Sequence, residues 1–365
     1  KPGYLPNDEV YSFDASYTDQ TLELLAFSEE ISNQPTITEF TKVDLTGGQE
    51  IEGAKMQILD QEGKVVEEWV SKKEAHVVYA LAPGEYILHE EQAPTEQGYV
   101  RAEDVKFVVE ETGDVQKVKM EDDHTKVSIS KTDITDGKEI EGAKLQILDQ
   151  DGEVVESWTT GEEHLIEYLP VGTYTLHEEA AVDGYIVAND VEFTVEETGE
   201  IQKMKMEDER AMGQLVIVKT DTDSKAALEG VEFVLLEKET GKEVGRLKTG
   251  KDGKAVSELL PIGTYENGVF KEPITYVLKE TATLKGYEKT EEEWEIVFTY
   301  QNDKTPVIEV VKEIQNKKIP ETPGTVKPGP KTGDDTNWFL PLLALGVSAG
   351  MVAGLLYYRK RHKKA

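Results

Sequence analysis

One segment of this chain occurs twice almost unchanged, and this repetition constrains the fold more than any other feature. Ile51–Asp60 reads Ile-Glu-Gly-Ala-Lys-Met-Gln-Ile-Leu-Asp, and Ile140–Asp149 differs from it only at Leu145. A third, more diverged copy begins at Leu215 and carries Leu228-Glu-Gly-Val. The first two copies lie about 90 residues apart, which is long enough for each repeat to be a domain with its own core.

Within each repeat the hydrophobic pattern is that of β-strands. Short alternating runs such as Val127–Lys131 and Tyr174–Glu178 are separated by Gly, Asp and Pro, and Asp151-Gly152 is a typical hairpin turn. No stretch before the C-terminal apolar run has helical periodicity. We therefore predict an all-β chain of tandem small Greek-key or immunoglobulin-like β-sandwiches, followed by a linker and a C-terminal transmembrane helix.

The predicted domain boundaries follow from the repeat. Residues 1–36 resemble the last third of a repeat, because Asn33 lies nine residues before Lys42 as Asp122 lies nine before Lys131. We therefore interpret the chain as a fragment whose upstream part, with any signal peptide, is missing. The prediction is a β-domain remnant at 1–36, sandwiches at 37–125, 126–212 and 213–303, a Pro/Lys/Thr-rich linker at 304–329 and a terminal signal at 330–365.

Composition excludes several function classes. The net charge is −33, from 73 acidic and 40 basic residues, which argues against nucleic-acid binding. The chain has no cysteine, no Asp-x-Asp-x-Asp-Gly calcium loop, no zinc-ligand spacing and no nucleophile, zincin or P-loop motif. We expect no metal, no cofactor and no enzyme that turns over a substrate.

Three sets of polar residues stand in phase with apolar strand faces. In a strand, residues two apart share a face, so Val127 and Ile129 point the same way as Lys131. Each set has a lysine, a glutamate and an Asp or Asn that end such faces. The sets are Lys42, Glu90 and Asp122; Lys131, Glu178 and Asp208; and Lys219, Glu280 and Asn302.

Burial of such a set creates reactive groups. Desolvation lowers the pKa of a lysine and raises that of a carboxyl group, so a neutral amine can lie beside an electrophilic carbon. A protonated glutamate between them can polarise the carbonyl and carry the proton. The product is an isopeptide bond, with loss of water from Asp or ammonia from Asn. The alternative is a buried ion pair, or strand ends that lie in water.

The C-terminus has three elements in a fixed order. The motif Pro330-Lys331-Thr332-Gly333 precedes an apolar run at 338–358 and the basic cluster Arg359–Lys364. The run is long enough to span a bilayer, and the basic tail places its end in the cytoplasm.

This arrangement resembles the cell-wall sorting signal of Gram-positive surface proteins. The resemblance implies that a sortase cysteine attacks the Thr332 carbonyl, releases Gly333 onward and passes the chain to a peptidoglycan amine or a pilus lysine. The usual leucine before the proline is Gly329 here, which leaves the sortase class open. An ordinary membrane anchor is the alternative.

The repeats themselves resemble the SpaA-type pilin domain, also called the collagen-adhesin B-type domain. The matching pattern is Lys-x-Asp, then Gly-Ala, then Tyr-x-Leu-x-Glu-x-x-Ala-Pro-(x)-Gly-Tyr, then a terminal Asp or Asn. The second copy lacks the proline, and the third reads Ala282-Thr-Leu-Lys-Gly286. The resemblance implies that the three lysines are donors, the glutamates catalytic acids, and Asp122, Asp208 and Asn302 acceptors.

The predicted function is the stalk of a sortase-anchored adhesin or pilus subunit on a Gram-positive cell wall, stabilised by self-formed isopeptide bonds. No Tyr-Pro-Lys pilin motif is present, so polymerisation as a major shaft subunit is not indicated. The alternative is a module that binds a host matrix protein such as collagen directly.

Overall fold

The computed structural model describes residues 1–13 and 30–320. The last part of the predicted linker (321–329), the Pro330–Gly333 motif and the predicted helix at 338–358 lie outside the described residues. In the part that is described, no helix is long and apolar enough to cross a membrane.

Three β-sandwiches follow one another, as the repeat predicts. The first has the sheets β4-β1-β7 and β3-β2-β5-β6. Its elements are β1 (Ile37–Asp44), β2 (Lys55–Leu59), β3 (Val65–Val70), β4 (His76–Tyr79), β5 (Gly84–Gln92), a 3₁₀ turn (Thr95–Gln97), β6 (Val105–Val109) and β7 (Val115–Asp122).

The second sandwich repeats this topology with the sheets β11-β8-β15-β13 and β10-β9-β12-β14. Its strands are β8 (Lys126–Asp133), β9 (Lys144–Leu148), β10 (Val154–Thr159), β11 (His164–Glu167), β12 (Gly172–Ala180), β13 (Tyr185–Ile186), β14 (Val191–Val195) and β15 (Ile201–Arg210).

The third sandwich has the sheets β19-β16-β20, with β25 also paired to β16, and β18-β17-β23-β24, plus an added hairpin of β21 and β22. Its strands are β16 (Met212–Asp221), β17 (Glu232–Glu237), β18 (Glu243–Lys248), β19 (Lys254–Val256), β20 (Leu260–Pro261), β21 (Gly263–Glu266), β22 (Val269–Pro273), β23 (Thr275–Ala282), β24 (Glu293–Val297) and β25 (Val307–Asn316).

The end of the third sandwich differs from the prediction. Strand β25 lies within 304–329, the range predicted as linker, and pairs along its whole length with β16. The compact unit continues to Ile319 rather than ending at 303. The prediction was wrong because β25 alternates Lys, Glu and Gln with its apolar residues, and only Ile308, Ile314 and Asn316 are buried in it.

The first and last strands of every sandwich are parallel neighbours, and this pairing sets the register of the polar residues. In the first sandwich Lys42 pairs with Met120 and Asp44 with Asp122. In the other two, the residue two positions after the lysine also faces the last inward residue of the final strand: Asp133 faces Asp208, and Asp221 faces Asn316.

Alternation along the first strand carries the lysine into the core. Thr38, Phe40 and Lys42 share the inward face of β1 and are 1–3% exposed. The ring of Phe40 packs against Trp69 and Phe107, with centroids 5.5 and 5.3 Å away. Each lysine therefore extends from a strand whose other inward residues are held by packing.

Residues 1–13 and 30–36 repeat the last part of a sandwich. The N–H of Leu5 donates to the Gln34 carbonyl, and that of Thr36 to the Gly3 carbonyl. The same pair of bonds joins Val100 to Asp123 and Thr125 to Gly98. Asn33 therefore holds the position of Asp122, while the upstream domain itself stays a prediction.

A glycine allows close contact between the first two sandwiches. Gly98 has φ +80°, and a Cβ placed on it would lie 2.4 Å from the backbone of Tyr168 in the second sandwich. The Tyr168 hydroxyl donates to Asp44 Oδ2 at 2.8 Å, and its ring stacks on His124 at 3.9 Å. The junction is thus a packed contact.

We expect Gly98→Ala to open this junction. The new methyl meets the Tyr168 backbone, in addition to the strain of about 1 kcal/mol for a positive φ. Gly63→Ala is the matched control, because Gly63 has φ +78° and open space around it. Limited proteolysis should cut Gly98→Ala faster than Gly63→Ala between residues 122 and 126. Equal rates would contradict the packed junction.

Candidate functional site

Each sandwich buries one lysine at the end of its first strand, against the opposite sheet. Lys131 and Lys219 are among the largest fully buried side chains of the described chain, at 1% and 0% exposure, and Lys42 is 3% exposed. An isolated ammonium group in such a place is costly, so its partners decide its chemistry.

In the first sandwich the lysine lies between two carboxyl groups. Lys42 Nζ is 2.9 Å from Glu90 Oε2 and in close contact with Asp122 Oδ1. Glu90 comes from β5 of the facing sheet, and Asp122 ends β7 beside β1. Both carboxyl groups are fully buried.

The second sandwich repeats this arrangement. Lys131 Nζ is 2.9 Å from Glu178 Oε2 and in close contact with Asp208 Oδ1. The three residues of the predicted set therefore lie together here too, at 0–2% exposure.

The third sandwich brings together Lys219, Glu280 and Asn316. Lys219 Nζ is 2.8 Å from Glu280 Oε2 and donates to Asn316 Oδ1 at 2.5 Å. Asn316 Nδ2 donates to Glu280 Oε1 at 2.7 Å. The third set is thus assembled, but with Asn316 in place of the predicted acceptor.

The structure does not place Asn302 at this site. Asn302 is exposed in the loop before β25, where its Oδ1 accepts from the Lys304 N–H at 2.9 Å and the Thr305 hydroxyl at 3.0 Å. The alternation Phe298-x-Tyr300-x-Asn302 imitates a strand, but β24 ends at Val297. The assignment of Asn302 as acceptor was therefore wrong in position.

A signal for Asn316 was present in the sequence. Ile314-Gln-Asn316 has the same form as Met120-Glu-Asp122 and Met206-Glu-Asp208: a buried apolar residue, an outward polar one and the acceptor. The register of β25 against β16 places it opposite Asp221, as Asp122 is placed opposite Asp44.

Burial and neighbouring charges shift the acceptor carboxyl groups. Burial, the largest cause, raises the pKa of Asp122 to about 7; Lys42 acts to lower it and Glu90 to raise it. The pKa of Asp208 rises to about 7 for the same reasons. Burial also lowers the pKa of Lys219, although contact with Glu280 opposes this shift.

These shifts favour a protonated acceptor in the first two sandwiches and a neutral lysine in the third. Among the described residues, Asp122 Oδ2 and Glu90 Oε1 have no hydrogen-bond partner, and the same is true of Asp208 Oδ2 and Glu178 Oε1. Two adjacent carboxyl groups that cannot both ionise can share one proton. A protonated aspartic acid is a far better electrophile than a carboxylate, and a neutral amine lies beside it once the lysine has lost its proton.

Backbone donors fix the glutamates of the first two sites. The Ala102 N–H donates to Glu90 Oε2 at 2.8 Å, and the Ala188 N–H donates to Glu178 Oε2 at 2.6 Å. These donors could not be predicted from the sequence, because a backbone donor has no side-chain pattern. They hold the oxygen that faces the lysine.

The arrangement can form an amide within each sandwich. The lysine Nζ attacks the acceptor Cγ, the glutamate moves the proton from Nζ to the leaving group, and water leaves from Asp or ammonia from Asn. The partners are 80, 77 and 97 residues apart in sequence. Each sandwich would react once, on itself.

The pH dependence of this reaction should differ between acceptors. Asp122 and Asp208 have pKa values raised from 3.8 to about 7, so the folded state keeps the reactive protonated form up to about pH 7 and loses it as the pH rises further. Asn316 has no such titration. We expect water loss to slow between pH 7 and 9, and ammonia loss to be retained.

Intact-mass time courses can measure this difference on unreacted chain, recovered from inclusion bodies in urea and refolded by dilution. Water and ammonia losses report the two acceptor types in the same sample, so the third sandwich is an internal control. A water-loss rate that rises steadily from pH 7 to 9 would contradict the role of the protonated aspartates.

Comparison with known proteins shows which family has this architecture. The family model of SpaA, a prealbumin-like fold domain, matches residues 36–124, 125–210 and 213–273. The third match ends with the added hairpin, although the sandwich continues to β25. The fold of this family is described as prealbumin-like, whereas the sequence had predicted Greek-key or immunoglobulin-like sandwiches.

Similar solved structures include the Bacillus anthracis TIE protein, with 28% identity and a TM-score of 0.53 over 78% of this chain and 51% of that one. This chain spans about half the length of that structure. BcpA, the major pilin subunit of Bacillus cereus, has 15% identity and a TM-score of 0.44 over 77% of this chain and 99% of that one. The full-length major pilin SpaD of Corynebacterium diphtheriae has 16% identity and a TM-score of 0.35, over 78% and 97%.

A comparison with curated proteins gave no match. The family assignment therefore rests on the three sequence matches, which together cover more than half of the chain and fall one on each sandwich. The chain belongs to the SpaA family of prealbumin-like fold domains.

Proposed function

We propose that this chain is the stalk of a surface protein, an adhesin or pilus subunit, that a sortase joins to the cell wall of a Gram-positive bacterium. Each sandwich closes one isopeptide bond on itself: Lys42–Asp122, Lys131–Asp208 and Lys219–Asn316, with Glu90, Glu178 and Glu280 as the acids. The observation that carries the proposal is the burial of all three sets, each with its lysine Nζ against the acceptor.

The bonds would lie on the shortest path for tension along the chain. In the first sandwich, force entering at Ile37 passes along β1 to Lys42, crosses to Asp122 and leaves toward β8. The chain between Lys42 and Asp122, which are 80 positions apart in sequence, is then bypassed. The parallel pairing repeats this path in the other two sandwiches.

The bonds would also constrain the unfolded chain. Treated like a disulfide that closes a loop of the same length, each bond contributes about 4–5 kcal/mol to the free energy of unfolding. In the first two sandwiches it further replaces a buried lysine and a buried carboxyl group by a neutral amide, which removes the cost of burying their charges.

The anchoring part of the proposal rests on the order of elements at 330–365. Sortase would cut after Thr332 and transfer the chain to a peptidoglycan amine or a pilus lysine, after residues 338–358 have held it in the membrane. Binding of a host matrix protein stays a hypothesis, because no contact or surface of the described residues favours it.

The intact mass of the protein tests the isopeptide bonds. The chain should weigh less than its sequence by two waters and one ammonia. Asn316→Ala should lose the two waters but no ammonia, and its free energy of unfolding should be lower by about 4–5 kcal/mol. Asn302→Ala is the matched control and should still lose all three small molecules. A parent chain with the full mass of its sequence would refute the bonds. If Asn316→Ala still releases ammonia and Asn302→Ala does not, the acceptor is Asn302.

Cell fractionation tests the anchor. In a Gram-positive host with a sortase, Thr332→Ala should leave the protein in the membrane fraction, because the carbonyl to be attacked is no longer in the recognised motif. Thr325→Ala, in the preceding linker, is the control and should be recovered with the wall. Equal wall attachment of both variants would show that the motif is not used.

A further inference from the structure

The third site contains a side chain that the other two lack. Asn316 Nδ2 donates to two oxygens, Glu280 Oε1 and the hydroxyl Oγ1 of Thr283, each at 2.7 Å. Thr283 lies three residues after the glutamate, just beyond the end of β23. It is part of the Ala282-Thr-Leu-Lys-Gly286 segment, which departs from the family pattern.

Equivalent positions in the other sandwiches hold alanine. In each sandwich the strand that carries the glutamate pairs with a neighbour: β2, β9 or β17. The first residue of that neighbour lies opposite Gln92 in β5, Ala180 in β12 and Ala282 in β23, and each pairing has the same register shift beside the glutamate. The next residues are therefore equivalent: Ala93, Ala181 and Thr283. Alanine accompanies each aspartate acceptor and threonine accompanies the asparagine.

Hydrogen-bond capacity explains this pairing. A protonated aspartic acid has one O–H to donate, and the adjacent glutamate oxygen can accept it. A carboxamide has two N–H donors, and Asn316 is only 2% exposed, so both need an acceptor inside the protein. Where alanine stands, Asp122 Oδ2 and Asp208 Oδ2 have no partner among the described residues.

The second acceptor also sets which way the amide faces. With Nδ2 bound to Glu280 and Thr283, Oδ1 faces Lys219 Nζ, and the nitrogen that must leave lies against the acid. In the opposite orientation, Nδ2 would face the amine of Lys219, donor against donor, and its leaving nitrogen would be away from Glu280.

We propose that Thr283 is a positioning residue that adapts the third site to an asparagine acceptor. This inference rests on the proposed isopeptide bond. Lys219 Nζ attacks Asn316 Cγ, and the new C–N bond forms as the bond from Cγ to Nδ2 breaks. A proton passes from Nζ to Nδ2 through Glu280, and ammonia leaves. Thr283 takes no proton; it holds the amide so that this transfer is direct.

The test measures small-molecule loss during refolding of the unreacted full-length chain. Thr283→Val removes the hydroxyl at constant shape, and Thr283→Ser retains it. We expect Thr283→Val to slow ammonia loss about tenfold, the effect of one buried hydrogen bond, and Thr283→Ser to keep nearly the parent rate.

Asn316→Asp separates positioning from simple structural support. With an aspartate acceptor the third site should lose water, and adding Thr283→Val should leave that rate within about twofold. Equal slowing by Thr283→Val in the parent chain and in the Asn316→Asp variant would overturn the proposal, as would no slowing in either. Water loss from the first two sandwiches verifies that each variant has folded along the rest of its chain.

The reciprocal change keeps the proposal testable if Thr283→Val does not fold. Asp122→Asn should slow reaction of the first sandwich, and Asp122→Asn with Ala93→Ser should restore part of the rate. No gain from the serine would count against the proposal. Absence of any mass loss in the parent chain would instead refute the isopeptide bonds themselves, so the two failures are distinguishable.

Discussion

The burial of a lysine between a glutamate and a second acceptor is the constraint on which the rest of this structure depends. Three times, the inward face of a first strand carries near its end a lysine amine that solvent does not reach. The parallel pairing of first and last strands, the register of the acceptors and the backbone donors to Glu90 and Glu178 all serve to place groups around that amine.

The contact between the buried lysine and its carboxyl partners has a cost in stability, and the proposed amide would remove that cost. A buried ion pair adds little stability, since desolvation offsets most of the attraction. Burial raises the pKa of Asp122 and Asp208 and lowers that of Lys219, which shifts each of these groups toward its neutral form, and a neutral amine can condense with a carboxyl group. In the proposed reaction, the amide removes the charges and joins the first and last strands, which would carry tension along the proposed stalk. In the proposed stalk, packed junctions such as Gly98 against Tyr168 would continue this path of tension from one sandwich to the next.

Much of this architecture was predictable from the sequence, because the repeat and strict alternation identify strands, sandwiches and inward residues. Eight of the nine residues of the predicted sets lie where the alternation placed them. Asn302 failed because alternation continues through a loop that is not a strand. Asn316 was missed because β25 lies at the surface, and its charged outward face resembles a linker. Thr283 was overlooked as loop variation, since its importance depends on a hydrogen bond that only the fold reveals.

Tandem mass spectrometry of a protease digest tests the central claim most directly. The account predicts three branched peptides, in which Lys42 is joined to Asp122, Lys131 to Asp208 and Lys219 to Asn316. Recovery of these lysines and acceptors only in unbranched peptides, from correctly folded protein, would contradict it.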